Sequence, residues 1–280
     1  AVGMLADKII ENKGKKIVLV SLARAGIPIG ILVKRYIKFK YGINVPHYSI
    51  SIIRGRGIDD NAMKYLLEKY RPQQILFVDG WIGKGAILNE LKKDISAYEG
   101  VSADIAVVAD PANVTELCGT HEDILIPSSC LNSTVSGLIS RTFLRDDIIG
   151  RDDFHGAVYY GELTDSDLSY DFIETIEKEF NMENTPDLEK RVESQGIDEV
   201  INIGKNFGID DINLIKPGIG ETTRVLLRRI PWKVLIDERY KGNPQLEHIV
   251  RLAEEKHTPV EYYPLTHYKC CGIIKKLADA

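Results

Sequence analysis

The chain has 280 residues, 44% of them hydrophobic and 28% charged, with 23 Gly, 11 Pro and 4 Cys. That composition excludes a disordered chain, a collagen-like repeat and a disulfide-stapled miniprotein, and the length suits two domains. The formal net charge is −5, yet Glu162–Glu199 alone holds 13 acids and 3 bases, so the flanking regions are mildly basic and open to phosphate ligands.

The longest apolar runs, such as Ile17–Val20 and Ile105–Ala109, are too short to span a bilayer, and no membrane partner is expected. The chain begins Ala-Val-Gly-Met inside a helical pattern without a basic-then-apolar leader. It reads as a cytoplasmic protein with residues missing ahead of its first one. Cys118, Cys130, Cys270 and Cys271 show no paired metal spacing, and adjacent Cys270 and Cys271 are poorly placed to bond each other, so reduced thiols and no metal are expected.

Strand and helix signals alternate through the first half. Lys16–Leu22 is a β-branched strand, and a helix follows from about Ile27 to Lys40. Val45–Ile53 alternates as a strand, Asn61–Tyr70 reads as a helix, Ile75–Asp79 as a buried strand, Ala86–Ile95 as a helix and Asp104–Ala109 as a strand. This order predicts an α/β domain with a mainly parallel sheet covered on both faces. Asp123–Ile126 adds a strand and Val135–Arg145 a helix. Asp167–Phe180 is an amphipathic acidic helix, followed by a break at Asn181–Pro186 and a polar helix over Asp187–Gln195. The remainder alternates again, with a helix after Gly218, a strand at Lys233–Ile236, a helix at Leu246–Glu255 and a strand at Val260–Tyr263, as in a small α/β sandwich. The division expected is 1–165, an acidic helical connector at 166–197, and 198–280.

Two strand-to-helix turns carry chemistry. In Ile75-Leu76-Phe77-Val78-Asp79-Gly80-Trp81-Ile82-Gly83-Lys84-Gly85-Ala86, a buried strand delivers Asp79 to the carboxyl edge of a parallel sheet, where open α/β folds bind ligands. The small residues Gly83, Gly85 and Ala86 let backbone amides approach an anion at a helix start, and Lys84 adds charge. It is not a P-loop, because Gly-Lys is followed by Gly, not by Ser or Thr. Ser21-Leu22-Ala23-Arg24-Ala25-Gly26-Ile27-Pro28 is the second such turn, with Arg24 at its apex. Two anion-ready turns on one sheet suit a ligand with two phosphate groups; the other reading is a structural Gly turn.

On these residues the N-terminal half resembles the type I phosphoribosyltransferases. The resemblance implies that Arg24, Ala25 and Gly26 hold pyrophosphate, that Gly83–Ile87 hold a ribose 5′-phosphate, and that Asp79 contacts the ribose hydroxyls. It further implies Mg²⁺ bound with phosphoribosyl pyrophosphate, Arg24 and Lys84 stabilising the leaving charge. Gly80 stands where the family has a second acid, which favours ligand binding over turnover. Arg54 and Arg56 either close over this ligand or belong to a solvated loop.

A thiol nucleophile needs an imidazole within hydrogen-bond reach and a third group to orient the ring. Cys130, His155 and an acid such as Asp153 or Asp110 supply those types; the other reading of Cys130 is core filling. Cys118 with His121 is a weaker pair, and two ligands alone do not make a metal site.

Between Lys216 and Lys233 there are five bases and one acid, and Gly218 opens a helix bearing Glu221, Thr223, Arg224 and Arg228. A helix start with outward Arg residues suits a phosphodiester backbone, and a solvated face is the alternative. The turn resembles the RNA-contacting loop of the kink-turn-binding ribosomal-protein superfamily, with Gly218, Glu221, Thr223 and Arg224 matching and Gly220 replacing an Asn. Binding to structured RNA is implied. Together with CGTHEDILIPSSCLNSTVSGLISRT and DFHGAVYYGE, nearly the whole chain resembles the phosphoribosyltransferase-like proteins with a Pelota-type RNA-binding domain found in tellurite-resistance (Ter) stress operons. Such proteins carry two labels, a phosphoribosyltransferase linked to nucleoside metabolism and a cysteine protease, StiP. The first rests on the Arg24 and Asp79 turns, the second on Cys130 and His155. The readings that follow are a Mg²⁺-assisted phosphoribosyl transferase with an RNA-binding domain, a thiol hydrolase, or a non-catalytic nucleotide- and RNA-binding module.

Overall fold

A computed structural model of the chain describes residues 1–130, 133–183 and 193–276. In the N-terminal domain the elements are α1 (Val2–Lys13), β1 (Val18–Leu22), α2 (Gly26–Tyr41), β2 (His47–Ile50), the hairpin β3 (Ile52–Ile53) and β4 (Gly57–Ile58), α3 (Asp60–Lys69), β5 (Ile75–Trp81), α4 (Ala86–Ile95), β6 (Ile105–Ala109), β7 (Cys118–Thr120), the single turn α5 (Pro127–Cys130), the hairpin β8 (Ile139–Phe143) and β9 (Gly156–Tyr159), and α6 (Ser169–Glu177). Five strands pair in the order β2-β1-β5-β6-β7, all parallel. The β-branched, fully buried runs of β1 and β6 are what a sheet covered on both faces requires. One face packs against α1, α2 and α6 through Leu5, Ile9, Leu32, Ile37 and Ile173. The other packs against α3 and α4 through Met63, Leu66, Leu88 and Leu91.

The C-terminal domain follows as α7 (Gly196–Phe207), β10 (Ile215–Pro217), α8 (Ile219–Arg228), β11 (Pro231–Ile236), α9 (Glu247–Glu255), β12 (Val260–Tyr262) and β13 (Cys270–Ile274). Its sheet order is β10-β13-β11-β12, with β11 and β12 parallel and the other pairs antiparallel. Side chains alternate to opposite faces along a strand. Thus Leu235 and Cys271 meet α7, whereas Val234, Ile236 and Cys270 meet α8 and α9, giving an α/β/α sandwich.

Three expectations fail. Val135–Arg145 is not a helix: Gly137 and Leu138 take positive φ (67° and 57°) that end a helix, and Ile139–Phe143 pairs with β9. Asp123–Ile126 is not a strand; the edge strand is Cys118–Thr120, and Asp123 is drawn toward the other domain. The acidic helix is no connector, because Phe172, Ile173, Ile176 and Phe180 pack on α2 as part of the N-terminal core. The polar helix expected at Asp187–Gln195 lies largely outside the described residues, and α7 begins at Gly196. Among the described residues no helix is long and apolar enough to cross a membrane.

Candidate ligand cleft between the domains

In the 2-1-3-4-5 order of the parallel strands, the direction of winding reverses between β1 and β5, and ligands of open α/β sheets sit beyond the carboxyl ends there. Both sequence-predicted turns emerge at that point. Gly26 packs so closely on β5 that a Cβ would press into the Val78 carbonyl, which places it beneath the turn and not on its open side. Asp79 is buried at the end of β5, its Oδ1 accepting the Gly80 N–H at 2.7 Å. Burial pushes its pKa up to about 7, with that hydrogen bond opposing.

A cleft of about 300 Å³ opens over these turns. Of the residues singled out in the sequence, Ala25, Asp79, Gly83, Lys84, Gly85, Ala86, Ile87 and Arg54 line it, and so do Ser129 and, from the C-terminal domain, Lys216, Glu221 and Arg224. Arg24 lies half-buried beside it, its Nη1 donating to the Ser128 carbonyl at 3.1 Å. Burial, then the charges of Arg224 and Arg228, hold its pKa below the ordinary value. Arg56 is not among the cleft residues; its backbone N–H closes the β3–β4 turn on Ile53. The Ser129 hydroxyl is buried without a hydrogen-bond partner in the cleft wall. It also bears on the departure at Gly80: a Cβ there would press into Ser129 Oγ and lie 3.1 Å from Ile126 Cγ2, so a second acid would have to displace the Ser129 hydroxyl.

The C-terminal domain docks on this edge. Asp123 is buried between the domains, Oδ1 accepting from Ile219 N at 3.1 Å and Oδ2 from Lys269 N at 2.9 Å. Burial lifts its pKa to about 6, and the two backbone donors oppose. The start of α8 therefore holds a carboxylate of its own chain where a phosphodiester was expected. Lys84 Nζ donates to the Ile212 and Ile215 carbonyls at 2.8 and 3.0 Å, and burial followed by Lys216 lowers its pKa to about 8. It pins the domains with two of its three donors. Tyr268 Oη donates to the Gly83 carbonyl at 2.6 Å, and Trp81 lies where a Cβ on Gly218 would meet its ring at 2.7 Å.

The expected RNA face of α8 is only partly taken up by the cleft: Arg228 stays exposed, and the Arg224 side chain is 42% exposed. Arg224, ion-paired to Glu221 at 2.5 Å, faces the cleft, and Arg228 lies within electrostatic reach of Arg24. Thr223 does not face out: it is buried, its Oγ1 2.7 Å from the Ile219 carbonyl and 2.9 Å from His248 Nε2. Helical spacing four residues from Ile219 puts it on the core side of α8.

Cys130 and His155 share no hydrogen bond. Cys130 is buried under α8, 3.0 Å from where a Gly220 Cβ would stand, and burial raises its thiol pKa to about 11 despite Arg224, Arg228 and Arg24. His155 Nδ1 is 2.9 Å from Ser51 Oγ and its backbone N–H donates to Asp59. Asp153 hydrogen-bonds to Gly150 and Asn61 instead. The thiol and imidazole that do meet are the weaker pair, with Cys118 Sγ 3.3 Å from His121 Nε2.

Sequence reasoning missed Ser129, Lys216 and the closure of the cleft by α8. The polar run at Ser128–Thr134 and the basic stretch from Lys216 carried the signal for the residues, but no local pattern carried the docking.

The molecule is thus a two-domain α/β protein whose cleft lies at the switch point of a parallel sheet and is walled by a second domain. Residues 1–177 match the family described as the tellurite-like stress resistance cysteine protease StiP, and residues 194–276 match the PELOTA RNA binding domain. A cysteine protease StiP from Acinetobacter baylyi is 33% identical over 297 residues, spanning 99% of this chain and 76% of that protein. The chain belongs to the StiP family. Among solved structures, a hypoxanthine-guanine phosphoribosyltransferase from Bacillus anthracis aligns at 19% identity over 42% of this chain and 73% of its own, with a TM-score of 0.32. The corresponding enzyme from Leishmania tarentolae in complex with GMP aligns at 13% identity over 42% and 74%, with a TM-score of 0.31.

Proposed function

We propose that this protein binds a phosphorylated ribose or nucleotide in the cleft between its domains. One observation carries the reading: at the sheet's switch point, Arg54, Lys84, Lys216 and Arg224 converge from both domains around buried Asp79 and the unpartnered Ser129 hydroxyl. Cations and loop amides suit phosphate, Ser129 offers a hydroxyl to it, and Asp79 is placed to accept from ribose hydroxyls. Among the described residues the lining carboxylates are Asp79 and Glu221, and Glu221 is ion-paired, so these residues alone do not build a Mg²⁺ cage. Mg²⁺ would arrive on a diphosphate and meet the chain through Asp79. Calorimetric titration of phosphoribosyl pyrophosphate with Mg²⁺ into the full chain tests this. Binding that weakens at least about tenfold in Arg224→Ala, as expected for loss of a charged contact, supports it; no binding by folded protein rejects it.

The C-terminal domain is proposed to bind structured RNA, with Arg224 and Arg228 against phosphate. Because Arg224 lines the cleft, RNA and the phosphorylated ligand would compete for that cation. Arg228→Glu should reduce RNA affinity and flatten its salt dependence by about one phosphate contact. Unchanged affinity removes the claim.

A second reading, thiol proteolysis at Cys130, is favoured by the family's description and by the three arginines that oppose the rise in its pKa. It requires α8 to lift, because the sulfur is buried and no imidazole is bonded to it. Peptidase activity abolished by Cys130→Ala, with phosphoribosyl binding retained, would favour it.

A further inference from the structure

We propose that Asp110, Cys118 and His121 form a binding site for a borderline divalent transition cation, with Zn²⁺ the best match to the donors. A carboxylate oxygen, a sulfur and an imidazole nitrogen from these residues all lie within 4.8 Å of one another. Parallel pairing of β6 and β7 creates the cluster. Asp110 follows the last residue of β6, Cys118 opens β7, His121 follows its end, and Asp110 N donates to the Thr120 carbonyl at 2.9 Å.

His121 and Asp110 are each oriented for coordination. His121 Nδ1 lies 2.9 Å from the Asp110 carbonyl. A carbonyl only accepts, so Nδ1 carries the proton and Nε2 keeps its lone pair, 3.3 Å from Cys118 Sγ. This backbone-anchored imidazole is the usual support of a metal-bound His. Asp110 Oδ2 accepts the Val114 and Thr115 N–H groups at 2.7 and 2.8 Å, which locks the carboxyl. Its Oδ1 is fully buried and has no hydrogen-bond partner. A carboxylate that keeps one buried oxygen unpartnered, in a cluster with a thiol and an imidazole, is what a bound cation would satisfy.

Thiolate, imidazole and carboxylate together select Zn²⁺ over the hard oxygen-seeking Mg²⁺ and Ca²⁺. Three protein donors leave one position for water, and the His121 side chain, 19% exposed, gives the ion a path from solvent. The site sits behind the domain junction. Between its ligands, Pro111 and Ala112 accept hydrogen bonds from His267 and Gly196 of the C-terminal domain, and Asp123 lies two residues beyond. A cation here ties the docking segment to the sheet edge.

The test is anaerobic titration of the chelator-treated, reduced full chain with Zn²⁺ in competition with a chromophoric chelator, and with Co²⁺ as spectroscopic probe. One equivalent of Zn²⁺ per chain and a thiolate-to-cobalt charge-transfer band are expected, with the band lost in Cys118→Ser and kept in Cys130→Ser. Wild-type protein should also gain thermal stability on Zn²⁺ addition, a gain absent from Asp110→Asn. Should Cys118→Ser fail to fold, the wild-type titration decides alone. No stoichiometric uptake, or a band that survives Cys118→Ser, overturns the site.

Discussion

Asp123 caps α8 from the other domain: its Oδ1 accepts the Ile219 N–H at 3.1 Å while Oδ2 holds Lys269 N. A negative group at a helix start satisfies orphan amides and the dipole at once. Asp123→Ala would strand two buried N–H groups, so a loss of about 2–4 kcal/mol in unfolding free energy is expected. Asp123→Asn should lose less, because its amide oxygen still accepts. Urea unfolding of both variants checks the order.

Asp79 makes stability fall as pH rises. Its pKa is about 7 in the fold against an ordinary 3.8, so the folded state binds the extra proton between those values. Below that window both states are protonated and nothing is lost. Across it the unfolded chain ionises and the fold does not, at a cost of up to about 4 kcal/mol. The stability advantage of Asp79→Asn over wild type should therefore grow from pH 4 to pH 7, roughly the interval between those two values. A pH series of denaturant midpoints measures it; a flat difference would show that Asp79 is already ionised.

Ser129→Ala separates stability from binding. Removing an unpartnered buried hydroxyl should leave stability equal or raise it by about 1 kcal/mol. If the cleft holds phosphate, the same change should weaken phosphoribosyl pyrophosphate binding. Thermal melts and calorimetry on one preparation give both numbers.

Gly80→Asp, which restores the second acid of the phosphoribosyltransferase pattern, should destabilise by about 1–3 kcal/mol because its Cβ presses into Ser129 Oγ. Combining it with Ser129→Gly should recover part of that loss. The coupling is read from a double-mutant cycle of unfolding free energies.

Lys84→Met should cost about 1–3 kcal/mol even without ligand, since the Ile212 and Ile215 carbonyls lose their donor. If Lys84 served a ligand phosphate alone, apo stability would not change. Calorimetric unfolding of apo protein distinguishes the two.

The amino-acid sequence by itself determined the parallel sheet, the two turns at Arg24 and Asp79, and the alternating C-terminal domain. Apolar runs such as Val18–Leu22 and Ile105–Ala109 report local burial, and periodicity is a local property. Only the tertiary structure decided what faces what. Asp123 and Ile219 are 96 residues apart, and no period links them. The same holds for Gly80 with Ser129, and for α8, whose Arg224 lines the cleft only because the two domains dock. Cys118 and His121 were legible as a pair by spacing, but Asp110 joins them only because β6 and β7 run side by side. Cys130 and His155 had the right chemistry for a catalytic pair, yet side chains meet through packing, and here it gave each of them other neighbours.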